Sequence, residues 1–80
     1  MMIENILARL EPIIRDLFDE YDGPITGKLS AKDVEQWDSL ANVQLIVMAE
    51  KAFGVRFTAG EVDGLKNLGD LAACVCAKIS

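Results

Sequence analysis

The chain has no histidine among its 80 residues. That absence removes every Ser–His and Cys–His nucleophile arrangement within it. It also leaves Cys74 and Cys76 without further Cys or His to complete a metal site. These two thiols lie two apart in a helix-like segment, point to nearly opposite sides and should not bridge each other. They read as small apolar side chains in a reducing compartment. Basic residues are scarce as well. Eight Lys and Arg face 13 Asp and Glu, for a net charge of −5. That balance argues against nucleic acid, whose binders show basic patches, and favours solubility and basic partner surfaces. Long apolar runs are missing. The longest, Leu45-Ile46-Val47-Met48-Ala49, is far short of the roughly 18 residues of a membrane span. The N-terminal MMIENILARL has no basic region before an apolar one, so it does not read as a secretory signal. A cytoplasmic location is expected. The acids are scattered at spacings of solvated faces, and no enzyme is expected.

What remains is a hydrophobic fraction of 51% in a short chain, which predicts one small globular domain over 1–80. A chain this size buries only about 60% of its unfolded surface, so its core must be simple and a deep catalytic cleft is not expected. Ile3, Ile6, Leu7, Leu10, Ile13, Ile14, Leu17 and Phe18 recur at helical spacing and predict a first helix over roughly 3–19. Pro12 interrupts it; the unbroken apolar phase favours a kink over two shorter helices. Residues 20–38 form a long connection, with Asp22-Gly23-Pro24 as a turn and Ser30 placed to cap a single helical turn at Ala31 to Val34. Loops of this length are often functional. A second helix spans 39–53 and ends at Gly54. Val55-Arg56-Phe57 is a short extended link. Thr58-Ala59-Gly60-Glu61 is a capping box that opens a short helix carrying Val62 and Leu65. Asn67 and Asp70 signal the start of a last helix with Leu68, Leu71, Ala72, Val75 and Ile79 on one face. The expected fold is all-α, a four-helix bundle of three longer helices and one short one.

The second helix is too apolar for one buried face. At about 100° per residue, Asn42, Leu45, Ile46, Ala49 and Phe53 share the expected core sector. Leu40, Val43 and Val47 form a second stripe, bordered by Gln44 and Lys51. Either the helix is buried on several sides, or this stripe stays exposed as a docking patch. Ser39 lies beside the stripe at the helix start. Asp38 or Ser39 can cap the helix. A helix N-terminus also suits a phosphate. With no histidine to activate it, Ser39 fits a modified residue better than a nucleophile.

"WDSL" at 37–40, followed by a helix ending in "EKAFGVRF", resembles the acyl carrier proteins. The likeness extends over nearly the whole chain, through the short capped helix and the final amphipathic one. Trp37 before Asp38 is similar to the stand-alone carriers of specialised pathways more than to the housekeeping fatty-acid carrier. The resemblance implies a 4′-phosphopantetheine arm on Ser39, transferred from coenzyme A by a phosphopantetheinyl transferase and holding an acyl group as a thioester. It implies that Asp38 helps the transferase hold magnesium. It also implies that Leu40, Val43, Gln44 and Val47 meet acyl-transfer, ketosynthase or ligase-type enzymes of fatty-acid, polyketide or related biosynthesis. Ile46, Ala49, Val62, Leu65 and Leu71 are the candidates to line a space for an acyl chain, and otherwise are core. The chain is expected to act as a monomer. One departure stands out: the family's second helix is usually rich in acids, whereas here its exposed positions carry Gln44, Glu50 and Lys51, with Asp38 at the start. An aminoacyl or peptidyl carrier using the same serine, and an unmodified helical adaptor, are the alternative readings.

Overall fold

Four helices carry the chain in the computed structural model, which describes residues 2–79: α1 (Ile3–Leu17), α2 (Ser39–Phe53), α3 (Ala59–Asp63) and α4 (Leu68–Ile79). The expected three longer helices and one short one are present. α1 packs against both α2 and α4. Its stripe Ile6, Leu10 and Ile14 is wholly buried, as the i, i+4 recurrence of those residues requires. Pro12 lies inside α1, which runs on as one helix rather than two. The proline is exposed, so its missing N–H leaves no apolar-facing carbonyl behind. α1 stops at Leu17, two residues earlier than expected. Phe18 then serves as the C-cap, its N–H donating to Ile14 O, and its ring is buried.

The remaining core comes from Ala41, Leu45, Ile46 and Ala49 of α2, from Leu68, Leu71, Ala72 and Val75 of α4, and from Leu29 and Val34 of the long connection. The last two were not foreseen. The connection is therefore not a passive strap. Its backbone is tied to α4: the Leu68 N–H donates to Leu29 O at 2.8 Å, and the Gly69 N–H to Gly27 O at 2.7 Å. Loop carbonyls thus satisfy amides at the α4 N-terminus that helix geometry leaves unpaired. Gly69 is required at this seam, since a Cβ there would sit 2.8 Å from Gly27 O. The expected helical turn at 31–34 does not form. Asp33 N–H donates to Ser30 O, and the Asp33 carboxylate accepts from the Ser30 N–H and hydroxyl. Ser30 is held by Asp33 rather than capping a helix, and an Asp side chain stabilises such a turn through the same local bonds.

α2 ends in Gly54, whose φ of 66° supplies the left-handed cap, its N–H donating to Glu50 O. α3 has no buried residue, and a capping box fixes its start: Glu61 N–H donates to Thr58 Oγ1, and Thr58 N–H to Glu61 Oε1. The other Glu61 oxygen lies 2.9 Å from Lys78 Nζ of α4. Asn67 caps α4 by accepting the Asp70 N–H at 2.8 Å. Cys76 packs against the core, while half-buried Cys74 faces Glu61 at 3.8 Å. Burial and the Glu61 carboxylate push the Cys74 thiol up from its usual range.

Candidate functional site

Ser39 is the first residue of α2 and is exposed. Asp38 precedes it in extended conformation, and its carboxylate accepts the Ala41 N–H at 2.8 Å. Between the two candidate caps, Asp38 is the one that acts, which leaves the Ser39 hydroxyl uncommitted by the cap. The segment before Asp38 is anchored by Trp37. Its ring stacks on Phe18, with centroids 5.4 Å apart and planes at 26°. Its indole N–H donates to Asn42 Oδ1 at 3.1 Å. The side chain two residues before Ser39 is thus clamped both to the end of α1 and to the second turn of α2. Asn42, read from its sector as a core position, is half-buried and takes this bond instead. Ala41 is buried in its place, and Phe53 is half-buried. A small residue carries little hydrophobic signal, so Ala41 was not legible as core.

The second stripe of α2 is open. Leu40 is 69% exposed, Val43 57% and Val47 40%. Gln44 and Lys51 beside it are exposed too. Burial on several sides is excluded by these values. Glu50 corrects the expectation of an exposed acid. It is half-buried and accepts the Phe57 N–H at 2.8 Å, tying α2 to the link after it. The exposed part of α2 beyond its first turn therefore displays apolar side chains, Gln44 and Lys51, with no acid among them.

A cavity of about 350 Å³ opens beside Ser39. It is lined by Asp38, Ser39, Leu45, Ile46, Leu65 and Leu71, and by Trp37, Asn42, Lys66 and Asn67 among others. Of the five acyl-lining candidates, Ile46, Leu65 and Leu71 come together here. Ala49 is fully buried in the core, and Val62 packs against the core; neither lines this space. The polar liners Asn42, Lys66 and Asn67 were not among the candidates. They sit on α2 and on the link between α3 and α4, and only their convergence in space identifies them. Among the described residues no group of three or more Cys, Asp or Glu side chains could hold a metal ion, and no helix is long and apolar enough to cross a membrane.

Comparison with known proteins agrees with this geometry. The family model for a phosphopantetheine attachment site matches residues 37–75, a stretch that begins at Trp37 and includes all of α2. An acyl carrier protein of Acidothermus cellulolyticus is 37% identical over 67 residues, covering 84% of this chain and 80% of that protein. A meromycolate extension acyl carrier protein of Mycolicibacterium smegmatis is 31% identical over 72 residues, covering 90% and 73%. The solution structure of a holo acyl carrier protein from Geobacter metallireducens has a TM-score of 0.83 and 43% identity, covering 92% of this chain and 85% of that one. A solved chain from Mycobacterium tuberculosis, at 24% identity and a TM-score of 0.78, shares the fold. The chain belongs to the acyl carrier proteins. Its cofactor is a covalently attached 4′-phosphopantetheine, and its role is that of an acyl carrier, which implies a phosphopantetheinyl transferase and biosynthetic enzymes as partners.

Proposed function

We propose that Ser39 is the attachment residue. The observation that carries this reading is an exposed, uncommitted hydroxyl at the first position of a 15-residue helix whose cap is provided by its neighbour. The backbone N–H groups of the first turn and the helix dipole favour the negative charge of a phosphodiester there. In the transfer, Ser39 Oγ forms a bond to the phosphorus next to pantetheine in coenzyme A. The bond to the adenosine bisphosphate leaving group breaks, and the hydroxyl proton passes to a base on the transferase. Asp38 uses one carboxylate oxygen for the cap, and its other oxygen is available to a magnesium ion held by the transferase. The arm supplies a terminal thiol that holds the acyl group as a thioester.

The chain itself is not an enzyme. It is one carrier domain over 1–80, cytoplasmic and monomeric, that presents cargo to acyl-transfer, ketosynthase or ligase-type enzymes of fatty-acid, polyketide or related pathways. Leu40, Val43 and Val47, with Gln44 at their border, form the docking stripe. Its small, exposed, apolar character suits partners that must bind and release. Ile46, Leu65 and Leu71 line the space that receives the chain of the cargo.

Incubation with coenzyme A and a broad-specificity phosphopantetheinyl transferase, followed by intact mass measurement, tests the attachment. The expected gain is one arm, absent in Ser39→Ala. A Ser39→Ala protein that still gains the arm would place the attachment elsewhere.

A further inference from the structure

The cavity beside Ser39 is apolar on one part of its lining, at Leu45, Ile46, Leu65 and Leu71. It is polar on another, at Trp37, Asn42, Lys66 and Asn67. Asp38 and Ser39 also line it, at the start of α2; away from them the polar groups are of one kind. Asn42 Oδ1 faces the Trp37 indole N–H, and Asn67 Oδ1 faces the Asp70 backbone N–H. Both facing groups can only donate, so each carboxamide has a fixed orientation with its oxygen occupied. What Asn42 and Asn67 have left is the NH2 group, a donor. Lys66 is a donor as well. The Trp37 N–H is already used, and one oxygen of the Asp38 carboxylate is engaged by the Ala41 N–H, its other oxygen remaining an acceptor at the start of α2. The cavity therefore offers hydrogen-bond donors beside an apolar surface. A saturated hydrocarbon chain would cover these donors without pairing them, and unpaired polar groups removed from water are costly.

Resting on the reading of Ser39 as the attachment residue, we propose that this cavity selects acyl groups bearing an oxygen acceptor, a keto or hydroxyl oxygen on the chain. In this reading Asn42 is the specificity-determining residue. Trp37 is the positioning residue that turns the Asn42 carboxamide so that its NH2 is the group left for cargo. Asn67 and Lys66 add donors from the facing side. The arm also has amide oxygens that such donors could meet, so the test must separate arm from cargo.

The experiment loads the intact chain, by transferase, with bare coenzyme A or with its octanoyl, 3-hydroxyoctanoyl or 3-oxooctanoyl thioester. Intact mass confirms each form. Side-chain amide NMR resonances of Asn42 and Asn67 and the thermal midpoint are then read. The oxygenated cargoes should shift the Asn42 NH2 resonances well beyond the bare-arm and octanoyl forms. They should also raise Tm over the octanoyl form by about 4–8 °C, the effect of one net hydrogen bond in a domain this size. Asn42→Asp keeps an acceptor for Trp37 and removes the donor. It should abolish the difference while the stacked Trp37, the only tryptophan in the chain, keeps its fluorescence. Equal behaviour of octanoyl and oxygenated forms would overturn the proposal, as would a full shift already present with the bare arm. Failure of any form to gain mass would instead sink the attachment at Ser39, and the cargo proposal with it.

Discussion

The two sides of the bundle differ in how they use apolar residues. Where α1 meets α4, Ile6, Leu10, Ile14, Leu68, Ala72 and Val75 are fully buried. Around α2 and α3, Leu40, Val43 and Val47 are exposed, α3 buries nothing and a cavity adjoins Ser39. In a chain of 80 residues with a total stability of roughly 4–12 kcal/mol, the dry side has to supply most of the packing energy. The other side leaves apolar surface unburied, and that surface is what partners and cargo can use. Stability and function are divided by position in the bundle, even though the residue types on both sides are the same.

That division can be broken by substitution. The largest effect is expected from Leu10→Ala, which should lose about 2–5 kcal/mol in denaturant unfolding. Val47→Ala, at an exposed position, should stay within about 0.5 kcal/mol. Comparable losses at both sites would erase the distinction. Next come the docking residues. Leu40→Ala and Val43→Ala should each reduce kcat/KM of a partner enzyme by about fivefold or more, on the order of 1 kcal/mol, with little change in stability. Gln44→Ala should change turnover less. A salt titration of the same assay should show only a mild decline, because the exposed part of this helix lacks acids for close ion pairs. Asp38→Ala sits on the border of the two sides and should cost about 1 kcal/mol through its cap in thermal or urea unfolding.

The smallest effect concerns the pin between α3 and α4. The hydrogen bond from Lys78, with that from the Thr58 backbone, lowers the Glu61 carboxyl from 4.5 to about 2. A folded-state value below the unfolded one stabilises the fold above the unfolded value, and this contribution is lost as pH falls from about 4.5 towards 2. The same bond raises Lys78, so its share is present at neutral pH and lost only when pH climbs past the ordinary lysine value. Because the pair is solvent-accessible, the effect is screened and small. Glu61→Gln should flatten the slope of unfolding free energy against pH in the acidic window. An unchanged slope would show that the pair contributes nothing there.

Much of this was legible in residue spacing. The heptad-like recurrence from Ile6 to Ile14 located α1, Thr58 and Glu61 marked α3, and Gly54 marked the end of α2, because each signal is local. The two stripes of α2 were also readable as two. Which of them faced solvent was not, since that depends on how many neighbours cover the helix. Glu50 looked exposed by phase, yet its carboxylate reaches the Phe57 N–H across the chain reversal. Leu29 and Val34 lie in a segment without periodicity, so nothing in their spacing announced that they are core. Asn42 shared a sector with core residues, and only the position of Trp37 explains a carboxamide there. The polar lining of the cavity depends on tertiary proximity between α2 and the α3–α4 link, which no pattern within either segment encodes.

The backbone seam between residues 27–29 and 68–69 limits how the long connection can evolve. Two main-chain bonds and a glycine-to-glycine contact fix the register of that crossing, so an inserted residue between them would uncouple the loop from α4. Length variation is tolerable at the exposed positions around Asp22 and Lys32, where the chain can bulge into solvent. The connection behaves as two adjustable arcs hung from one rivet, and homologues of different loop length should differ in the arcs while retaining the rivet.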